Sequence, residues 1–450
     1  MIATKRPVWM WCMALGAAGC GGGAAATSWS SEARGGASDS DSGGEVAMSA
    51  HAYAPAYASS TAATVVTGAG VAVVTTRPGV VVRQGSRPEA QYAIPAGLLT
   101  AASVGDVDRR STYIEYLERR ATERSVLSVD MTRRVRFKVV DSRGRPVDDA
   151  AITVRGAHVG RTHADGIWDF FPSVADPQAS GPTPVTIDAG QLHVETTANV
   201  SPTSDSGDIT VRLDGYGAAS PAKLDLAFLI DATGSMEDEI RYVNREIADI
   251  VGRIHAGLPQ VHVRVGATFY RDRCDPVLVQ QIALTDDVPS FAAAMQSVNA
   301  YGGGDYAEDM HAGLESALHD LAWERGQAVR VLVLIADAPP QSYAGTAFGH
   351  REAMLEAAAR GIRILPVAAS GADRETEYLM RAMGAFTSTP YTYLTDDSGV
   401  GAGHMDADTD RVGVERFNAL LVRMVLADLA GDGMHEPGAF GPRLGQNGGS

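Results

Sequence analysis

Apolar residues recur with three different spacings along this chain, and each spacing predicts a different kind of element. Over residues 130–214 the period is two. Val135, Phe137 and Val139 alternate with Arg and Lys, Ile152 and Val154 repeat the alternation, and Leu192–Glu195 and Ile209–Leu213 follow. Asp141-Ser-Arg-Gly-Arg-Pro146 and Ala164-Asp-Gly166 supply turns, the second leading into Trp168 and Phe170. Alternation broken by turn residues predicts a small all-β unit. From residue 223 the pattern changes to continuous apolar runs, Leu224–Ile230, Val329–Ile335 and Ile362–Val367, as buried parallel strands require. Between them lie helical stripes: Ile240, Val243, Ile247, Val251 and Ile254, then Met310, Leu314, Ala317, Leu318 and Leu321. Strands are also expected at Val261–Tyr270 and Tyr391–Leu394. Helices are expected at Val288–Val298, at Gly349–Arg360 before Gly361, and along Val414, Phe417, Leu420, Leu421, Met424 and Val425. Strands alternating with helices predict a doubly wound, Rossmann-like α/β domain over 223–430. Ala96–Asp108 and Tyr113–Leu117 predict a short helical connector over 96–129.

Outside these blocks the chain reads differently. Lys5 and Arg6 precede an apolar stretch, Val8–Ala18, too short to span a bilayer and of the kind found in signal peptides, here residues 1–19. Ala17-Ala18-Gly19-Cys20 resembles a bacterial lipobox, which implies lipidation of Cys20; cleavage near Ala24-Ala25-Ala26 is the alternative and would give a soluble secreted protein. Residues 20–95, dominated by Gly, Ala and Ser up to about Pro88, read as a disordered tether, and 431–450 as a disordered tail. Lys and Arg total 38 against 54 Asp and Glu, a net charge of −16. That sign disfavours nucleic acid and anionic lipid surfaces. Of three cysteines only Cys274 lies beyond the leader and lipobox, so no disulfide framework is expected.

The candidate chemistry sits where the first apolar run ends. Asp231, Thr233 and Ser235 place a carboxylate and two hydroxyls at alternate positions between a strand and a helix. Such oxygens can converge on one small hard cation, and the carboxyl ends of strands are where ligands bind in open α/β sheets. Taken singly, each residue is an ordinary helix cap.

This Asp-x-Thr-x-Ser run, followed by Met236, resembles the first segment of the metal-ion-dependent adhesion site (MIDAS) of von Willebrand factor type A (vWA) domains. The resemblance implies two further segments after later strands. Gly302-Gly-Gly-Asp305-Tyr-Ala-Glu308-Asp309 offers one, with Asp305 the first choice of ligand and Glu308 the second. Asp337 in Ala336-Asp-Ala-Pro-Pro340 offers the other. Many vWA domains carry Thr at the former and Thr-Asp-Gly at the latter. Val139–Ile152, together with Ala164-Asp-Gly166, resembles immunoglobulin-like β-sandwich modules of surface proteins, including carboxypeptidase-regulatory-like domains, which implies a spacer.

The resemblance implies an envelope-anchored binding or adhesion protein. Its divalent cation, Mg²⁺ first and Mn²⁺ or Ca²⁺ otherwise, would be held by Asp231, Thr233, Ser235, Asp305 and Asp337 and would engage acidic groups of a protein partner. Membrane contact would be through the lipid anchor only. A scaffolding lipoprotein without metal-dependent binding is the alternative. No nucleophile elbow, His-Glu-x-x-His helix or Walker loop occurs, so no enzyme is expected. An aspartyl phosphohydrolase at Asp231 is a distant reading, because Thr233 stands where the second Asp of such enzymes is expected. His404 and the alternating Asp406, Asp408 and Asp410 are weaker ligand candidates.

Overall fold

The structure, a computed structural model, describes residues 65–67, 70–72, 95–121, 127–409 and 413–436. The expected signal peptide, Cys20, and nearly all of the expected tether lie outside the described residues. The chain divides into two units, Met1–Tyr92 and Ala93–Ser450. Of the first, β1 (Val65–Thr67) and β2 (Gly70–Ala72) form an antiparallel pair.

The second unit begins with β3 (Thr100–Val104) and α1 (Arg110–Arg120). An all-β region follows: β4 (Val135–Asp141), β5 (Ala151–Val154), β6 (Ala157–Arg161), β7 (Ile167–Phe170), the one-turn α2 (Pro172–Ala175), β8 (Gly181–Ala189), β9 (Leu192–Val200) and β10 (Asp208–Leu213). They make a three-stranded sheet, β10-β4-β7, and a four-stranded one, β6-β5-β8-β9. Phe137, Trp168 and Phe170 from the first and Ile152 and Ile187 from the second enter one buried cluster. Trp168 is wholly buried, with its ring 6.2 Å from that of Phe137. A Cβ at Gly160 would stand 2.1 Å from the indole, so glycine is required there. The aromatic strand is therefore part of the core.

The remainder is β11 (Lys223–Asp231), α3 (Ile240–Gly257), β12 (His262–Tyr270), β13 (Val279–Thr285), α4 (Val288–Gln296), α5 (Met310–His319), β14 (Val329–Ala336), α6 (His350–Ala359), β15 (Ile362–Ala368), α7 (Arg374–Phe386), β16 (Tyr391–Leu394), β17 (Val414–Arg416) and α8 (Phe417–Ala430). Their sheet has the order β13-β12-β11-β14-β15-β16-β3-β17. β12, β11, β14, β15 and β16 run parallel, as the continuous apolar runs predict. Alternate residues feed opposite faces: Leu226, Phe228 and Ile230 pack with α3, α4 and α8, whereas Ala227 and Leu229 join the cluster shared with α5, α6, α7 and the all-β region.

Three expectations are corrected. Residues 100–104 form a strand, not a helix. Glu246 of α3 accepts the backbone N–H groups of Gly97, Leu98 and Leu99 at 2.9, 2.8 and 3.1 Å, and β3 lies antiparallel to both β16 and β17. The all-β region is thus inserted between one strand of the large sheet and the rest. The start of the expected tail is ordered, with Met434 4% exposed and Glu436 bonded to Arg109 at 3.0 Å. Val414, expected in the final helix, lies instead in β17 against β3, and the helix begins at Phe417.

Candidate metal site

The end of β11 is built by local hydrogen bonds. The Ala232 N–H donates to the Tyr270 carbonyl on β12, and the chain then turns. Thr233 donates its N–H and its hydroxyl to one oxygen of Asp231, at 2.9 and 2.6 Å, and its hydroxyl lies 3.1 Å from that of Ser235. Asp231 and Thr233 are fully buried and Ser235 is exposed. The second oxygen of Asp231, Oδ2, is buried without a partner.

Because β14 is the parallel neighbour of β11, the residue after its end arrives beside this turn. That residue is Asp337, 2% exposed, with Oδ1 also unpartnered. Burial, and next the negative charge of Asp231, push its carboxyl up to about 7, against the pull of the Ser235 hydroxyl. Burial likewise raises Asp231, against the hydrogen bonds from Thr233.

The loop before α5 lies across both. Tyr301 and Gly234 donate to Ala232 and Gly302 carbonyls, tying this loop to the first; Glu308 N–H donates to Pro339, and Gln341 N–H to Glu308, tying it to the third. Glu308 is 3% exposed, and its Oε2 has no partner. Gly303 has φ +74°, and a Cβ there would lie 2.6 Å from Glu308 Oε1 and 3.3 Å from Thr233 Cβ. The carboxyl of Glu308 therefore lies over Gly303, next to Thr233. Burial, then Asp231, Asp272, Asp337 and Asp275, push it up to about 9. Asp305, the first choice from sequence, is exposed and accepts a hydrogen bond from Gln341 at 2.7 Å. The ranking is corrected: Glu308 faces the site and Asp305 faces solvent. Two positive-φ glycines and the backbone pairing to Pro339 set that register, which spacing alone leaves open.

The donors suit a hard cation, being oxygens only, with two carboxylates flanked by two hydroxyls. Unpartnered buried carboxylate oxygens on three converging loops fit such an ion, since burying them bare is costly. Among the described residues no three His, Cys, Asp or Glu side chains close into a metal cage. His404 is committed elsewhere, 2.6 Å from Glu239 and 2.8 Å from Asp396. Asp408 pairs with Arg119 and Arg120, and Asp410 lies outside the described residues. Sequence reasoning missed Tyr270, whose buried hydroxyl lies beside Asp231 and is pushed up by burial and by the charges of Asp231 and Asp337. It also missed the exposed rings of Tyr301 and Tyr306 around the loops. Tyr306 donates to the carbonyls of Asp337 and Gly371 at 3.2 and 2.9 Å, which fixes its ring beside the site.

The family model of the von Willebrand factor A domain matches residues 225–399, so this part of the chain is a vWA domain. A protein of Acanthamoeba polyphaga mimivirus, named for an ariadne-like RING finger (R811), is 29% identical over 119 residues. That similarity covers 26% of this chain and 11% of the viral protein.

Proposed function

We propose that this chain is an envelope-anchored, protein-binding protein whose vWA domain centres on a divalent cation, Mg²⁺ first, with Mn²⁺ and Ca²⁺ as alternatives. The observation that carries the reading is the set of buried, unpartnered oxygens: Asp231 Oδ2 and Asp337 Oδ1 at the carboxyl ends of the adjacent strands β11 and β14, and Glu308 Oε2 in the loop before α5. Asp231 and Asp337 would supply charge to the ion, and Thr233 and Ser235 neutral oxygens. A cation with few protein ligands keeps water and can offer a position to a partner. The anchor rests on Cys20 and the preceding apolar stretch. The all-β region, read as immunoglobulin-like, orients the α/β domain by packing on it rather than holding it at a distance. No helix among the described residues is long and apolar enough to cross a membrane.

A scaffold that binds its partner without metal is the second reading; among the described residues no three His, Cys, Asp or Glu side chains form a closed cage. Thermal melting of residues 95–436 in EDTA and in millimolar Mg²⁺, Mn²⁺ or Ca²⁺ separates the two. A ligand specific to the folded state at a hundredfold excess over its Kd stabilises by about 2.7 kcal/mol. The expected result is a rise in Tm with at least one ion, abolished in Asp231→Ala and Asp337→Ala while both variants still fold. Identical wild-type melts in all four conditions would establish the scaffold reading instead.

A further inference from the structure

An ion held by Asp231 and Asp337 alone would be neutralised by them, and its open side would attract an external carboxylate. This centre holds more acid than that. Glu308 lies beside Thr233, buried, with one oxygen unpartnered, and its backbone is pinned on both sides by Pro339 and Gln341. Asp272 and Asp275 lie within electrostatic reach of it, as Asp231 and Asp337 do. Asp275 accepts the N–H groups of Asp272 and Gly303 at 3.1 and 2.9 Å, and Asp272 accepts from the Tyr343 hydroxyl. The nearby basic groups do not balance this set. Arg271 is fully buried 3.9 Å under the Tyr301 ring, and Arg273 is paired with Asp309 at 2.6 Å. Glu308 and the four carboxylates within its electrostatic reach, set against one divalent ion and Arg271, leave an excess of two negative charges.

From this placement we infer that Glu308 sets the specificity of the centre, so that the site turns away carboxylates and selects a partner surface rich in Lys and Arg. The rim has matching chemistry. Tyr301 and Tyr306 are 42% and 47% exposed, and exposed tyrosine faces attract ammonium and guanidinium groups. The charge count rests on the divalent-cation reading. The expected acidic partner group gives way here to a basic one.

The test uses the full chain with Mn²⁺, whose occupancy is read by electron paramagnetic resonance, and fluorescent hexalysine and hexaglutamate as probes in physiological salt. Wild type, Glu308→Gln and Glu308→Thr are compared, with Glu315→Gln as a surface-charge control on α5. Mn²⁺-loaded wild type should bind hexalysine at least tenfold more tightly than hexaglutamate. Both Glu308 variants should weaken hexalysine by about fivefold or more and acquire hexaglutamate binding that EDTA reverses. Glu315→Gln should behave as wild type. EDTA-reversible hexaglutamate binding by wild type overturns the inference, as do Glu308 variants that hold Mn²⁺ with unchanged preference. No Mn²⁺ uptake by wild type overturns the divalent-cation reading, and this inference with it.

Discussion

Asp231 and Asp337 end two adjacent strands, and each is buried with an oxygen that no well-formed hydrogen bond satisfies. Without a cation, desolvation and mutual repulsion must be relieved by protons. Asp337 titrates at about 7 in the fold against 3.8 ordinarily, so the folded state binds the extra proton. Stability of the metal-free protein therefore falls as pH rises from about 4 to about 7, and stays reduced above that. Asp337→Asn, which removes the charge and keeps the shape, should raise the metal-free Tm at pH 8 and flatten this slope, a gain of roughly 1–4 kcal/mol at alkaline pH. Melting curves from pH 4 to 8 in EDTA check it, and a variant less stable than wild type at pH 8 contradicts it. The first segment was legible in sequence because Asp231, Thr233 and Ser235 are adjacent and bond to one another locally. The second was not, because the choice between Asp305 and Glu308 depends on how a glycine-rich loop pairs with Pro339 far along the chain.

At the scale of elements, long apolar runs and strong stripes gave reliable expectations, since burial on both faces or along one face dictates their composition. The α3 stripe is buried throughout. β3 escaped notice because Thr100–Val104 is small-residued and buried on both faces, so it shows no alternation. Its place in the sheet depends on partners some three hundred residues away, β16 and β17. The contact that pins its approach is the carboxylate of Glu246, 1% exposed, on three backbone N–H groups. Glu246→Ala would strand those donors, at a cost of about 1–3 kcal/mol for each one left without water. Urea unfolding of residues 95–436 should show a loss of at least about 2 kcal/mol at the same slope. A loss below about 0.5 kcal/mol would mean that β3 is held by its strand pairing alone. Removing the residues before 215 would take away β3 and leave β16 unpaired on that side.

At the scale of the molecule, the all-β region and the α/β domain share one buried cluster and are bridged by charge. Arg363, 1% exposed, reaches Asp165 of the β region at 2.9 Å and Asp428 of α8 at 3.1 Å. The region thus sits on the α/β domain rather than swinging from it, and whatever orients one orients the other. The anchor is a separate matter: Cys20→Ala should move the protein from the membrane fraction to a soluble exported pool, since one acyl chain holds only weakly and lipoprotein anchoring uses more. Unchanged membrane association in fractionation would point to attachment through a protein.

The central claim is that the carboxyls of Asp231, Asp337 and Glu308 share the field of a divalent cation. Protons resting on Asp337 at about 7 and on Glu308 at about 9 must leave when that ion binds. Calorimetric titration of residues 95–436 with Mn²⁺ at pH 7, repeated in buffers of different ionisation enthalpy, counts them. The account predicts saturable binding at one site with release of roughly one to two protons, reduced by about half a proton in Asp337→Asn. Saturable binding with no proton release, or with the same release in Asp337→Asn, would place the ion elsewhere and contradict it.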